Sequence, residues 1–165
     1  MSLLKLQDLY FKPYLHGNEI SAIVKRLATQ VKADLPKEEI PLFIGILNGS
    51  FLFAADFVRE FKGNCEISFV KLASYHGTSS TKNVKQLIGI NEDLTGRTVI
   101  ILEDIIDTGN TLQEIYTIFK NKQLKQLKIA TLFFKPDVFR KELPINYIGK
   151  SIEDNFIVGY GLDYN

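Results

Sequence analysis

Apolar residues recur along this chain with two different periods, and the alternation between them predicts its elements. From Glu19 to Val31, the residues Ile20, Ile23, Val24, Leu27 and Val31 fall at helical spacing behind Asn18, a candidate N-cap. Pro41 to Leu47 (PLFIGIL) is an almost unbroken apolar run, too short for a helix and suited to a strand covered on both faces. The turn NGS follows. Phe53, Ala54, Phe57, Val58 and Phe61 then return to the helical period, with Gly63 as a stop. Glu66 to Ser74 reads as a strand, and the polar YHGTSSTKNVKQ after it predicts a mobile loop or a long hairpin tip, with His76 a loop residue. LIGI and the turn EDLTG lead to RTVIIL, another buried strand. Leu112, Ile115, Tyr116 and Phe119 mark a helix, and LKIATLFF a further strand.

Such alternation of apolar strands with helices predicts an α/β fold: a single domain over residues 1–165, built on a twisted, mainly parallel sheet flanked by helices. The segment after Lys135 mixes Pro136, Pro144, Gly149, Gly159 and Gly161 with short apolar runs. It is expected to join the N-terminal residues in a small cap over the strand ends.

Composition narrows the function classes. The formal net charge is +1, so no global basic field argues for nucleic acid or an anionic membrane, and a local site must carry the specificity. Cys65 is the only cysteine, which excludes an internal disulfide and a multi-cysteine metal site and fits a reducing compartment. With no secretory leader pattern in MSLLKLQDLYFKPYL and no apolar run near the roughly 20 residues a bilayer demands, a cytoplasmic location is expected.

The chemistry concentrates in VIILEDIIDTGNTL, Val99 to Leu112. Ligands of open α/β sheets gather at the carboxyl ends of strands, and this stretch lies at one. If VIIL is the strand and TLQEIYTIF the helix, EDIIDTGN is their connection. Backbone N–H groups around Thr108, Gly109, Asn110 and Thr111, with two hydroxyls beside them, can wrap a phosphate at a helix N-terminus. Glu103 and Asp104 are placed to accept hydrogen bonds from sugar hydroxyls or to hold Mg²⁺, while Asp107 lies nearer the phosphate turn. A phosphorylated sugar would satisfy both signs of charge at once. The plain alternative is that these acids cap the helix and face solvent. Neither G-x-x-x-x-G-K-[ST] nor G-x-G-x-x-G is present, so nucleotide hydrolysis and dinucleotide binding lose their main support.

EDIIDTGNT closely resembles the phosphoribosyl-diphosphate-binding motif of type I phosphoribosyltransferases. LNGSFLFAADF, SYHGTSSTKNVK, Lys135 after LFF, and NFIVGYGLDYN fall in the order and spacing of the hypoxanthine-guanine phosphoribosyltransferases, a resemblance running from about Pro41 to the C-terminus. It implies Mg²⁺-dependent transfer of ribose 5-phosphate from phosphoribosyl diphosphate to hypoxanthine or guanine, as a dimer or tetramer. Under it, Thr108, Gly109, Asn110 and Thr111 hold the 5′-phosphate, and Glu103 and Asp104 lie along the ribose hydroxyls near the metal. Asp107 becomes the general base on the purine.

The same resemblance assigns Asn48 and Gly49 to a pyrophosphate-binding turn in which a cis peptide is common; an ordinary N-G turn is the plain reading. Ser74 and Tyr75 match a catalytic lid, Lys135 the donor to the purine 6-oxo group, Phe156 and Ile157 the base-stacking and backbone contacts, and Asp163 a Mg²⁺ ligand near the pyrophosphate. Without the resemblance, Lys135 would be an exposed lysine, Phe156 a core aromatic and Asp163 a surface acid. Two departures stand out: Asn110 replaces a lysine found in many relatives, and the sequence ends at Asn165, before an arginine-bearing segment that relatives carry. The competing readings are a phosphoribosyl-diphosphate-sensing regulator, a xanthine-preferring transferase and a phospho-acceptor receiver domain. A regulator would need a basic nucleic-acid-binding surface that a near-neutral chain does not offer, and a receiver's acid pair usually follows its first strand.

Overall fold

The computed structural model describes residues 3–76, 83–90 and 93–164. Its centre is a six-stranded sheet in the order β5-β4-β3-β6-β7-β8. The strands are β3 (Leu42–Ile46), β4 (Glu66–His76), β5 (Asn83–Ile88), β6 (Thr98–Ile106), β7 (Gln126–Phe134) and β8 (Tyr147–Ser151); a separate hairpin, β1 (Leu4–Leu6) and β2 (Leu9–Phe11), precedes them. Every pairing from β4 through β8 is parallel, and β5 alone runs antiparallel, folding back on β4. The expected mainly parallel α/β sheet is therefore present.

Both faces of the sheet are covered, which is why β3 is buried at every position and reads as an unbroken apolar run. On one face α1 (Gly17–Asp34) and α2 (Phe51–Glu60) pack Val24, Leu27, Val31, Phe53 and Phe57 against Phe43, Ile100 and Leu132. The other face receives α3 (Asn110–Lys120), whose Leu112, Ile115 and Phe119 meet Ile44, Ile101 and Ile129. Edge-on contacts of Phe43 with Phe57 and Phe61, at centroid separations of 5.1 and 5.0 Å, bind α2 to the sheet centre.

Several expected boundaries move. Helix α1 begins at Gly17 rather than behind Asn18, because the Glu19 carboxylate reaches back to accept the His16 N–H at 2.8 Å. Strand β4 continues past Ser74 to His76, since Ser74, Tyr75 and His76 pair with Lys85, Val84 and Asn83 of β5. The polar stretch is thus a strand hairpin in its arms, and its tip lies outside the described residues. Strand β6 runs through Ile106, because Ile105 and Ile106 continue the ladder beside Phe133 and Phe134. Glu103 and Asp104 consequently belong to the strand and not to the connection after it.

The segment after Lys135 is only partly a cap. Its Tyr147–Ser151 portion becomes the edge strand β8, with the Arg26 guanidinium of α1 donating to the Gly149 carbonyl. The remainder does meet the N-terminal hairpin: Phe11 lies 6.0 Å from Phe156 and 6.5 Å from Tyr164, whose hydroxyl donates to Asp8 at 2.8 Å. No helix among the described residues is long and apolar enough to cross a membrane.

Candidate active site

At the carboxyl ends of β3, β6 and β7 the chain encloses a cleft of about 590 Å³. Its lining is contributed by four stretches far apart in sequence: Ile46 to Gly49, Glu103 to Leu112, Lys135, and the C-terminal residues Phe156, Ile157, Leu162 and Asp163. Parallel strands side by side deliver their ends to one edge of the sheet, which is how these residues meet.

The floor is set by β3 and β6, which are hydrogen-bonded neighbours. Asp104, 5% exposed, places its carboxylate against Gly49: a Cβ on that glycine would stand 2.3 Å from Asp104 Oδ2. Only glycine allows so close an approach. The turn carrying Gly49 contains a cis peptide between Leu47 and Asn48, one bond before the N-G pair itself, and it starts α2 through the Phe51 N–H to Asn48 carbonyl bond of 3.2 Å.

Burial, followed by the neighbouring Asp104 charge, holds the Glu103 carboxyl well above the usual carboxylate range. Asp104 is raised as well, chiefly by burial, with the negative charge of Asp163 adding to it. Like charges are thus gathered here, and Lys135, the one cation among the described lining residues, is paired with Asp154 instead. Among the described residues no three carboxylate, histidine or cysteine side chains form a cage for a metal. Any divalent ion would have to share one or two of these carboxylates with oxygens from a ligand.

Beyond Ile106 the chain turns sharply into α3. Gly109 adopts φ 78°, a left-handed conformation, and a Cβ there would meet the Phe139 ring at 2.6 Å. Its carbonyl accepts the Gln113 N–H at 2.9 Å, opening the helix. The Asp107 carboxylate, exposed to the cleft, accepts from the Thr108 N–H at 2.5 Å and from the Thr108 hydroxyl at 3.3 Å. Thr108, Gly109, Asn110 and Thr111 line the same end, so the predicted anion turn opens into the cleft.

Lys135 enters the cleft from the tip of β7, its backbone N–H donating to the Ile106 carbonyl at 2.9 Å. It is 9% exposed, not the free surface lysine that its residue type suggests, and its ammonium donates to Asp154 Oδ1 at 3.1 Å. Phe156 is 49% exposed at the mouth rather than buried in the core. The backbone of Ser74 and Tyr75 lies in β4, and their side chains fall outside the described residues. All other residues singled out from the sequence line the cleft. Sequence reasoning missed Asp154, for which an acid two residues before Phe156 is the only cue, and the apolar lining from Leu47 and Leu162.

Comparison with known proteins now bears on this geometry. Residues 12–165 match the family model for the phosphoribosyl transferase domain. The chain belongs to the phosphoribosyl transferase family. Among relatives of this phosphoribosyl transferase, a Streptococcus pyogenes protein named hypoxanthine-guanine phosphoribosyltransferase is 42% identical over 148 residues, covering 89% of this chain and 82% of its own. An Escherichia coli hypoxanthine phosphoribosyltransferase is 40% identical, with coverage of 88% and 83%. A crystal structure of a Bacillus anthracis hypoxanthine-guanine phosphoribosyltransferase, holding HEPES in its active site, superposes with a TM-score of 0.82 at 36% identity, covering 93% of this chain and 88% of that one.

Proposed function

We propose that this phosphoribosyl transferase is a purine salvage enzyme, transferring ribose 5-phosphate from phosphoribosyl diphosphate to hypoxanthine or guanine and releasing pyrophosphate. The observation that carries the reading is one cleft lined together by an anion turn at Thr108 to Thr111, carboxylates at Glu103, Asp104 and Asp107, and a buried lysine. That set of groups matches a phosphorylated sugar joined to an oxopurine.

In this reading the N–H groups and hydroxyls of Thr108 to Thr111 hold the 5′-phosphate at the start of α3. The sugar C1–oxygen bond breaks as the purine nitrogen closes on C1, and pyrophosphate departs toward the N–H groups of the Asn48–Gly49 turn. Positive charge builds on the ribose ring meanwhile, and the Glu103 and Asp104 carboxylates stand beside it. Asp107 accepts the proton from the purine N7, a contribution of about 10²- to 10⁴-fold. Phe156 stacks on the base and Ile157 offers it backbone groups, while the arm bearing Ser74 and Tyr75 closes over the site to exclude water.

Mg²⁺ fits the donor set. Glu103, Asp104 and Asp163 offer hard carboxylate oxygens, of which a divalent ion would take one or two, relieving the repulsion of Asp104 with its acidic neighbours. When bound, it would neutralise charge on the diphosphate of the substrate.

Lys135 sets the choice of base. An ammonium donates and never accepts, so it suits the 6-oxo group of hypoxanthine and guanine and leaves the adenine amino group facing a donor. Discrimination of about 10⁴ is attainable from a bond of this kind. Pyrophosphate release from phosphoribosyl diphosphate and Mg²⁺, with hypoxanthine, guanine, xanthine and adenine offered separately, tests the proposal. Turnover is expected with hypoxanthine or guanine and negligible turnover with adenine. Release with none of them, or with adenine as readily as with hypoxanthine, would overturn it.

A further inference from the structure

Asp154 has no part in the chemistry described above, yet it makes the one hydrogen bond recorded for the Lys135 ammonium among the described residues, at 3.1 Å. The two side chains differ in setting: that of Lys135 is nearly buried and that of Asp154 more than half exposed, so the acid reaches inward from the rim to the cation. Asp154 lies in the loop after β8, two residues ahead of Phe156. That loop is tied to the tip of β7 a second time, where the Ile152 N–H donates to the Phe134 carbonyl at 2.8 Å.

A lysine ammonium has three hydrogens and four freely rotating stem bonds, so nothing in the lysine itself aims it. Fixing one hydrogen on Asp154 restricts where the other two point, and Lys135 lines the cleft. Lys135 is also the only cation among the described lining residues, which include Glu103, Asp104, Asp107 and Asp163. Without a tether the ammonium would be drawn toward those acids and away from the base. We infer that Asp154 is a positioning residue that holds Lys135 toward the 6-substituent of the purine and thereby sets 6-oxo against 6-amino discrimination.

The inference rests on the reading in which Lys135 meets the base. Releasing the tether lets the lysine swing away and a water take its place. Water accepts as well as donates, so the penalty on a 6-amino group falls along with affinity for the 6-oxo group.

Five proteins test this: the unaltered enzyme, D154A, K135Q, the double variant, and Asp154→Glu as the conservative control. In D154A the KM for hypoxanthine should rise about tenfold, as expected for losing a hydrogen bond to a charged group. The KM for phosphoribosyl diphosphate should stay within about twofold, and the hypoxanthine-to-adenine ratio of kcat/KM should fall by about tenfold. Asp154→Glu should recover most of the loss, and D154A should add almost nothing in the K135Q background. A D154A enzyme with unchanged purine KM and unchanged ratio, while K135Q is impaired, overturns the inference alone. So does an equal effect of D154A with and without Lys135, or an equal rise in both substrates' KM, either of which marks a loop that merely needs its acid to fold. If K135Q itself leaves purine KM and discrimination untouched, the placement of the base fails and takes this inference with it.

Discussion

Charges are arranged in opposite ways at the two ends of the sheet. Where the strands begin, each prominent charge has a partner: Glu39 accepts from Lys125 and from the Thr98 hydroxyl, Arg97 pairs with Glu66, and Lys128 donates to the Tyr147 hydroxyl. Hydrogen bonds from Lys125 and Thr98 hold the Glu39 carboxyl below its ordinary range. Where the strands end, burial holds Glu103 and Asp104 above theirs, with the Asp104 charge adding to the first and the Asp163 charge to the second. A carboxyl held low favours the folded chain at neutral pH, and one held high disfavours it. The second end is therefore set up for a ligand or cation that the first has no use for.

That contrast can be broken by mutation, and the largest effect should come at the base position. Asp107→Asn removes a proton acceptor while keeping the shape, so kcat should fall about 10²- to 10⁴-fold with little change in nucleotide affinity. Steady-state kinetics beside a nucleotide titration separate the two, and an unaltered kcat would remove Asp107 from the mechanism.

Gly49→Ala comes next. Its new methyl would stand 2.3 Å from Asp104 Oδ2, so the carboxylate or the turn must move. A stability loss of about 1–3 kcal/mol is expected in denaturant unfolding, together with impaired turnover.

Glu103→Gln should act with opposite signs on function and stability. Activity should drop, whereas Tm at neutral pH should rise, because a carboxyl whose ionisation the folded surroundings disfavour has been removed. The gain follows from the sign of the shift. With the folded-state carboxyl raised above its ordinary 4.5, the native chain takes up a proton more readily than the unfolded one, so its handicap shrinks as pH falls. Melting curves of variant and parent should accordingly converge as the pH approaches that ordinary value.

The smallest effect belongs to Glu39→Ala at the other end. It should lower Tm slightly at neutral pH, with catalysis unaffected. The deficit should vanish in acid, because a carboxyl held low contributes above its unfolded-state value and ceases to do so as pH falls through the folded one.

The two ends of the cleft also differ in how far the sequence announces them. The phosphate end is a contiguous run, Glu103 to Thr111, so an apolar strand, acids and a glycine turn could be read together as one unit. Even there the strand was expected to stop at Leu102, because acids break an apolar pattern, while backbone pairing to β7 carries it on to Ile106. The base end is assembled from Lys135, Asp154 and Phe156, whose meeting depends on tertiary packing. Lys135 and Phe156 were legible only through family resemblance, and Asp154 not at all. Strand β8 was hidden for a related reason. Gly149 is a buried strand position where a Cβ would stand 2.4 Å from the Leu132 carbonyl oxygen, and hydrophobic periodicity does not register a glycine.

Central to the account is that one ligand-sized cleft joins a sugar-phosphate turn to a purine lysine. Quantifying nucleotide and pyrophosphate together, after mixing the enzyme with phosphoribosyl diphosphate, Mg²⁺ and hypoxanthine, tests it most directly. Inosine monophosphate and pyrophosphate should appear in equal amounts, and both should fall together in Asp107→Asn. Pyrophosphate without nucleotide, or neither product from folded protein, would contradict it.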